Sequence, residues 1–189
     1  MLRLTCPTDP RWTPIALADL GALLVDHAHC EHKAAVTALS FVSKYPDDPV
    51  LVARLAGLAR DEAGHFARVV DVCVRRGLAL GHPGPDPYVQ GLLAHVRKPV
   101  REQRVDRLLA CALIEARSCE RLGMLAVALV GVDAELAALY DDLWREEAEH
   151  HALFVALAAR AGEVDLRLAE LAAHEARVMQ ALPLRPAIH

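Results

Sequence analysis

The chain has 189 residues, of which 54% are hydrophobic and 24% charged, and its formal net charge is −4. This length and composition can bury a substantial core, and they exclude a disordered chain, a collagen-like repeat and a disulfide scaffold. The acidic balance excludes a global basic field for nucleic acid, so any RNA contact needs a local basic surface.

The sequence also indicates where the protein resides. No apolar run reaches the roughly 18 residues that a membrane-spanning helix needs, and residues 1–11 lack the apolar core of a signal peptide. The five cysteines are odd in number and form no Cys-x-x-Cys pair, which favours reduced thiols. We therefore expect a cytoplasmic protein with no membrane partner.

Prolines divide the chain into helices, because proline disrupts a helix interior. The chain is rich in Ala, Leu and Arg and contains no Asn, which favours an all-α fold. In chain order we predict helices over 16–44, 49–76, a short helix near 88–96, then 102–130, 133–161 and 165–181. The four long helices before residue 161 would form an antiparallel bundle with a long crossover after residue 76 and an extra C-terminal helix. The expected organisation is a single domain over 1–189, with the bundle core at about 16–161.

Each of these four helices has an inward-facing apolar seam with a polar residue near its middle. An ionised carboxylate in such a seam is costly unless a cation compensates it. Two helices carry the motif Glu-x-x-His, which places both side chains on one helical face. The mid-seam positions are Glu31, Glu62, His65, Glu115, Glu147 and His150.

The spacing of these residues places them at one level of the bundle. Glu31 and Glu62 are 31 residues apart, and Glu115 and Glu147 are 32 apart. The two Glu-x-x-His motifs are 85 residues apart. Residues equidistant from a hairpin turn lie at the same height, so the six side chains should converge. Two single Glu and two Glu-x-x-His motifs are the ligand set of a carboxylate-bridged di-iron or di-manganese site.

Further acidic residues lie beside the predicted ligands. Glu120 competes with Glu115, but it is five residues further along the helix, about 140° around its axis. Glu115 is therefore the better ligand. Asp61 and Glu146 each precede a ligand Glu, and we predict that each accepts the second N–H of the histidine on the opposite helix. The alternative for both is exposed surface charge.

Several histidines near the ligands are predicted to lie off the seam. His27, His29 and His32 flank Glu31, and of these four only Glu31 is expected to face inward. His151 follows the ligand His150 and is expected to point sideways.

Three runs of the sequence resemble a known family. These are ADLGALLVDHAHCEHKAA at 18–35, LARDEAGHF at 58–66 and ALIEARSCER at 112–121. They resemble the tRNA 2-methylthio-isopentenyladenosine hydroxylases (MiaE), which are ferritin-like non-haem di-iron monooxygenases. The resemblance covers about residues 12–160, and IEARSCER at 114–121 is more specific than Glu-x-x-His. The loop 82–87 and the tail after residue 162 depart from it.

The resemblance implies a ferritin-like four-helix bundle in which the same six residues hold two iron ions, with manganese less probable. It also implies hydroxylation of the isopentenyl group on the modified adenosine next to the tRNA anticodon. The reaction would use O2 as co-substrate, two protons and two electrons. Because the chain has no flavin, haem or iron–sulfur motif, an external donor of the reductase or ferredoxin type must supply the electrons.

Other functions compete with this interpretation. A ferritin-like iron-oxidising or storage protein, or another di-metal oxidase such as a manganese catalase, would use similar ligands. A metal-free structural bundle is opposed by the buried carboxylates, and a rubrerythrin-type peroxidase by the missing Cys-x-x-Cys pairs.

The partner implied by the resemblance is tRNA rather than DNA, and an acidic protein needs a local basic surface to bind it. Five cations near the start of the third long helix stand against two carboxylates, and an ordinary solvated helix start is the alternative. The predicted RNA contacts are Arg97, Lys98, Arg101, Arg104 and Arg107.

Overall fold

The computed structural model describes residues 2–189, which form seven α-helices and no β-strand. The all-α prediction is confirmed. None of the helices in this range has the length and apolar character needed to cross a bilayer. In chain order the helices are α1 (Trp12–Ala18), α2 (Leu20–Lys44), α3 (Pro49–Arg75), α4 (Pro87–Leu93), α5 (Val100–Ala128), α6 (Ala134–Ala159) and α7 (Asp165–Ala181).

The prediction of one helix over 16–44 is wrong at its beginning. A separate helix, α1, ends at Ala18, and α2 starts at Leu20. Between them Asp19 has a non-helical backbone, with φ −141° and ψ 75°, and its side chain accepts the N–H of Ala22 at 2.9 Å. An N-cap aspartate satisfies an N–H that has no partner within the helix, which stabilises a new start at this point.

The same N-cap geometry begins three other helices. Asp48, Asp86 and Asp133 each accept an N–H from the first turn of α3, α4 and α6. Proline occupies the first turn of α3 and α4, where no N–H is required. These caps explain why α3, α4 and α6 begin within one residue of their predicted starts.

The chain divides into two compact units, each built on one helical hairpin. The α2–α3 unit comprises residues 14–84 and 185–188, and in it α2 packs along α3. The α5–α6 unit comprises residues 2–13, 85–184 and 189, and in it α5 packs along α6 while α4 and α7 contact α5. Short turns join the helices of each pair, so both pairs are antiparallel.

The predicted polar positions lie among buried apolar residues in both hairpins. The buried face of α3 comprises Leu51, Leu55, Leu58, Glu62, His65, Val69 and Val72. On α5 a buried face runs from Leu108 to Ala126, and on α6 one runs from Leu136 to Leu157. On the predicted inward face of α2, Leu20, Ala35 and Val42 are only half-buried. Each unit therefore holds ionisable groups inside its core.

Candidate metal centre

The α2–α3 unit brings together three of the predicted ligands. Glu31 comes from α2, and Glu62 and His65 come from α3, one helical turn apart. The Nδ1 atom of His65 lies 3.5 Å from Oε2 of Glu31 and 3.5 Å from Oε2 of Glu62. All three side chains are buried, so one imidazole and two carboxylates converge out of contact with bulk water.

His27 belongs to this cluster, which corrects the prediction that it lies off the inward seam. It is fully buried, and its Nε2 lies 2.6 Å from Oε1 of Glu31. Burial by itself raises the pKa of Glu31, but hydrogen bonds from His27 and His65 outweigh burial and hold this pKa well below its usual value. The four-residue spacing from His27 to Glu31 was the available signal, because such residues share a helical face.

The α5–α6 unit holds the other three predicted ligands. Glu147 and His150 lie one turn apart on α6, with Nδ1 of His150 3.4 Å from Oε2 of Glu147. Glu115 is buried on α5. One turn further along α5, the thiol of Cys119 donates to the carbonyl of Trp144 at 3.1 Å. Burial and the charges of nearby glutamates raise the pKa of this thiol to about 11, so it stays protonated and is a poor ligand.

Glu120, the competitor of Glu115, is engaged elsewhere. Its Oε2 accepts the hydroxyl of Thr8 at 2.6 Å and an N–H of Arg117 at 2.5 Å. These partners hold Glu120 outside a ligand role, and the role of Glu115 as the α5 ligand stays a prediction.

The residues predicted to support the ligands have varied environments. Asp61 accepts a hydrogen bond of 2.7 Å from Arg60 on its own helix, and Glu146 is half-buried on α6. Their proposed contacts to the ligand histidines stay predictions. His151 is buried, with its Nδ1 2.7 Å from the carbonyl of Ala112 on α5.

The donor groups and their spacing fit a metal ion. Ligand atoms at about 2.0–2.2 Å from one ion, arranged at near right angles, lie about 3 Å apart. The His-to-Glu separations of 3.4–3.5 Å in both units are slightly wider than this. Glu62 with His65, and Glu147 with His150, are residues whose atoms could hold a metal. Carboxylates together with imidazoles suit iron and manganese.

The run 114–121 also builds a buried ionic network that sequence analysis did not identify. Arg117 is fully buried, and its Nε and Nη2 donate to the two carboxylate oxygens of Glu175 on α7, at 2.9 Å each. Its Nη2 also donates to the carbonyl of Cys6 at 2.9 Å. The hydroxyl of Tyr88 on α4 donates to Glu175 at 3.1 Å. This network ties the N-terminal segment, α4 and α7 to α5.

Two more residues of this run extend the network. The guanidinium of Arg121 stacks on Trp12, 4.7 Å from the ring centroid, and burial together with the charge of Arg117 lowers its pKa to about 10. The hydroxyl of Ser118 lies 2.9 Å from Nε2 of His189. Charged residues are usually exposed, so only the resemblance to a family could have drawn attention to this string.

Comparison with known proteins shows the family. A family model described as tRNA-(MS[2]IO[6]A)-hydroxylase (MiaE) matches residues 2–189. The chain belongs to the MiaE family. A protein of Pseudomonas putida is named tRNA 2-(methylsulfanyl)-N(6)-isopentenyladenosine(37) hydroxylase. It is 41% identical to this chain over 160 residues, and the alignment covers 85% of this chain and 77% of the Pseudomonas protein. A Salmonella typhimurium protein of the same name is 31% identical over 212 residues, and the alignment covers 86% of this chain and 77% of the Salmonella protein.

A solved structure extends the comparison to the fold. It is titled "Protein 43 with aldehyde deformylating oxygenase activity from Synechococcus" and has a TM-score of 0.89 at 36% identity. The match covers 98% of this chain and 94% of that chain. The ferritin-like fold class predicted for this MiaE family member is confirmed.

The cations predicted to contact RNA lie around the entry to α5. Lys98 and Arg101 are exposed, and Arg104 and Arg107 are half-buried. Arg97 is partly exposed and forms an ion pair with the buried Asp106. Their role in RNA binding stays a prediction.

Proposed function

We propose that this protein is a tRNA-modifying di-metal monooxygenase that hydroxylates the isopentenyl group of 2-methylthio-isopentenyladenosine next to the anticodon. One observation carries the proposal: a chain of the MiaE family buries a Glu-x-x-His pair and a further Glu in each of its two units. The relatives named as hydroxylases of this nucleoside support the substrate.

We further propose that both units act as one domain over 1–189, in which the six ligands together hold two iron ions, with manganese less favoured. Two bound irons would supply paired electrons to O2, a chemistry that acid–base side chains cannot provide. The ligands are Glu31, Glu62, His65, Glu115, Glu147 and His150.

The side chains of the protein hold and shield this centre. His27 holds one oxygen of Glu31 through its hydrogen bond of 2.6 Å, which leaves Oε2 on the side of His65. The apolar seam residues Leu58 and Val69 flank the α3 ligands and are buried. A low-dielectric surrounding strengthens the attraction between carboxylates and a cation, and it excludes water that would intercept a reactive oxidant.

The partners under this proposal are the substrate tRNA and an external electron donor in the cytoplasm. Arg97, Lys98 and Arg101 would contact tRNA phosphates near the entry to α5. The proposed supporting roles of Asp61 and Glu146 belong to the same hypothesis.

The decisive experiment loads the purified protein with ferrous iron and supplies O2, a chemical reductant and tRNA bearing the modified adenosine. We expect about two irons per chain and the hydroxylated nucleoside in digested tRNA. Glu147→Ala should remove much of the metal and all turnover. Glu149→Ala, an exposed position on the same helix, is the matched control and should retain both.

Retention of both irons and full turnover in Glu147→Ala would contradict the proposal. The α5 ligand is tested in the same way. If Glu120→Ala loses iron while Glu115→Ala keeps it, the assignment of Glu115 is wrong.

A second candidate substrate is an aldehyde, because the protein of the structural match is named for aldehyde deformylating oxygenase activity. The same loaded protein should release no formate from an aldehyde if tRNA is the substrate. Formate release without tRNA hydroxylation would favour the aldehyde. The iron-storage alternative is not favoured by the family, and gel filtration separates it, since storage requires a large shell.

A further inference from the structure

We infer that α7 supplies part of the tRNA-docking surface, together with the end of α4 and the loop that follows it. The inference rests on the proposed function, because it names the surface that would hold the substrate tRNA. We call this surface the α7 cluster. Its members are His95, Arg97, Lys98, Arg167, His174 and Arg177.

A buried carboxylate organises two of these cations. Asp106 is fully buried, and both of its oxygens accept hydrogen bonds from two arginines. Arg97 donates from Nη2 at 2.6 Å and from Nε at 3.0 Å. Arg167 on α7 donates from Nη2 at 2.7 Å and from Nε at 3.1 Å. One buried carboxylate thus fixes two guanidinium groups.

This arrangement keeps the guanidinium groups rigid. Burial raises the pKa of Asp106, but the hydrogen bonds from Arg97 and Arg167 outweigh it, and the pKa is lowered to about 2. The carboxylate is therefore ionised at neutral pH. The Arg97 side chain remains 44% exposed, so part of its guanidinium faces solvent. A fixed guanidinium with exposed N–H groups matches the geometry of phosphate oxygens.

Two stacked imidazoles lie beside the arginines. The rings of His95 and His174 are 4.3 Å apart between centroids, with an interplanar angle of 18°. Nε2 of His174 lies 2.9 Å from the carbonyl of Gly91, and Arg167 donates to the carbonyl of His95 at 2.9 Å. These bonds attach α7 to the end of α4.

The pKa of His95 reports the charge of its surroundings. Burial lowers it, and so do His174, Arg167 and Arg177, whereas Asp106 opposes them. Three basic side chains, those of His174, Arg167 and Arg177, therefore lie close enough to act on this imidazole. Such a concentration of basic groups favours an anion.

Two exposed cations complete the α7 cluster. Lys98 and Arg177 are exposed, and no ion pair joins either to a carboxylate in the described part of the chain. The carboxylates nearby are Asp106, already shared by two arginines, Glu170, which accepts from Arg167 at 2.9 Å, and Glu102, whose charge acts on Arg97. Four cations thus face three carboxylates. Like charges repel, so a purely structural cluster would gain from pairing these cations, whereas a phosphate backbone would neutralise them.

The test measures binding of the substrate tRNA to the iron-loaded protein over a range of salt concentrations. The variant carries Lys98→Glu and Arg177→Glu. Each lost phosphate contact reduces the slope of log affinity against log salt by about 0.7–0.9. We expect at least about tenfold weaker binding and a slope shallower by about two. The iron content should be unchanged, because both side chains are exposed.

The matched control is Arg54→Glu, an exposed arginine on α3 in the other unit, which should bind as the wild type does. Unchanged affinity and slope in the double variant would overturn the inference, as would an equal loss in Arg54→Glu. The proposed function fails separately, if wild-type protein does not hydroxylate tRNA. Hydroxylation by the wild type combined with normal binding by the double variant would refute the α7 cluster alone.

Discussion

The buried ion pair between Arg117 and Glu175 leads to a specific prediction about stability. Changing Glu175→Gln keeps the size and shape of the side chain but removes its charge. Arg117 then retains a carboxylate partner only in Glu120, whose side chain is 23% exposed. The Arg117 side chain is 1% exposed, so its guanidinium has lost its hydration and would then have fewer charged partners to offset that loss.

The structure sets the size of the effect. Breaking a buried ion pair by removing one partner costs about 3–5 kcal/mol. The amide oxygen can still accept one hydrogen bond, and Glu120 still contacts Arg117, so we expect the lower end, about 3 kcal/mol. For a chain of this length, 1 kcal/mol corresponds to about 2–4 °C in Tm. The expected fall in Tm is therefore about 6–12 °C.

Urea and thermal denaturation followed by circular dichroism measure this loss. Glu170→Gln on the same helix is the control. The carboxylate of Glu170 is exposed where it pairs with Arg167, so this ion pair should contribute less than about 1 kcal/mol to the free energy of unfolding. Replacing both partners, as Arg117→Met with Glu175→Leu, should be less damaging than Glu175→Gln, since it leaves neither charge of the pair behind. A free energy of unfolding for Glu175→Gln within about 1 kcal/mol of the wild type would refute the reasoning.

Two further predictions concern buried polar contacts. His27→Ala removes the hydrogen bond to Glu31 and should weaken iron binding by about 10–100-fold in a chelator competition. The control His32→Gln, at an exposed position, should bind iron as the wild type does. Equal iron affinities of His27→Ala and the wild type would contradict the role of His27. Asp106 has a pKa lowered from 3.8 to about 2 in the folded state, so its ionised form stabilises the fold above pH 3.8 and this contribution is lost as pH falls toward 2. The free energy of unfolding of the wild type, measured by urea denaturation, should therefore exceed that of Asp106→Asn by about 2 kcal/mol at pH 7 and by less at pH 3. A difference between the two proteins that stays constant with pH would refute this.

Local signals in the sequence were sufficient for most of the helices and for the two Glu-x-x-His pairs, but not for the break between α1 and α2. Asp48 before Pro49 and Asp133 before Ala134 predict helix starts because an N-cap acts within four residues of itself. The seams of α3 and α5 follow from helical periodicity, which places every third or fourth residue on one face. Glu-x-x-His is recognisable for the same reason, since its two side chains lie within one helical turn.

Contacts between distant segments could not be derived in this way. The pairing of Arg117 with Glu175 joins residues 58 positions apart, and the two arginines on Asp106 come from the α4–α5 loop and from α7. A charged residue in a sequence predicts exposure, because burying an unpaired charge is costly. Only the tertiary structure places the partner that offsets this cost, and so it alone showed that Asp106, Arg117 and Glu175 are buried.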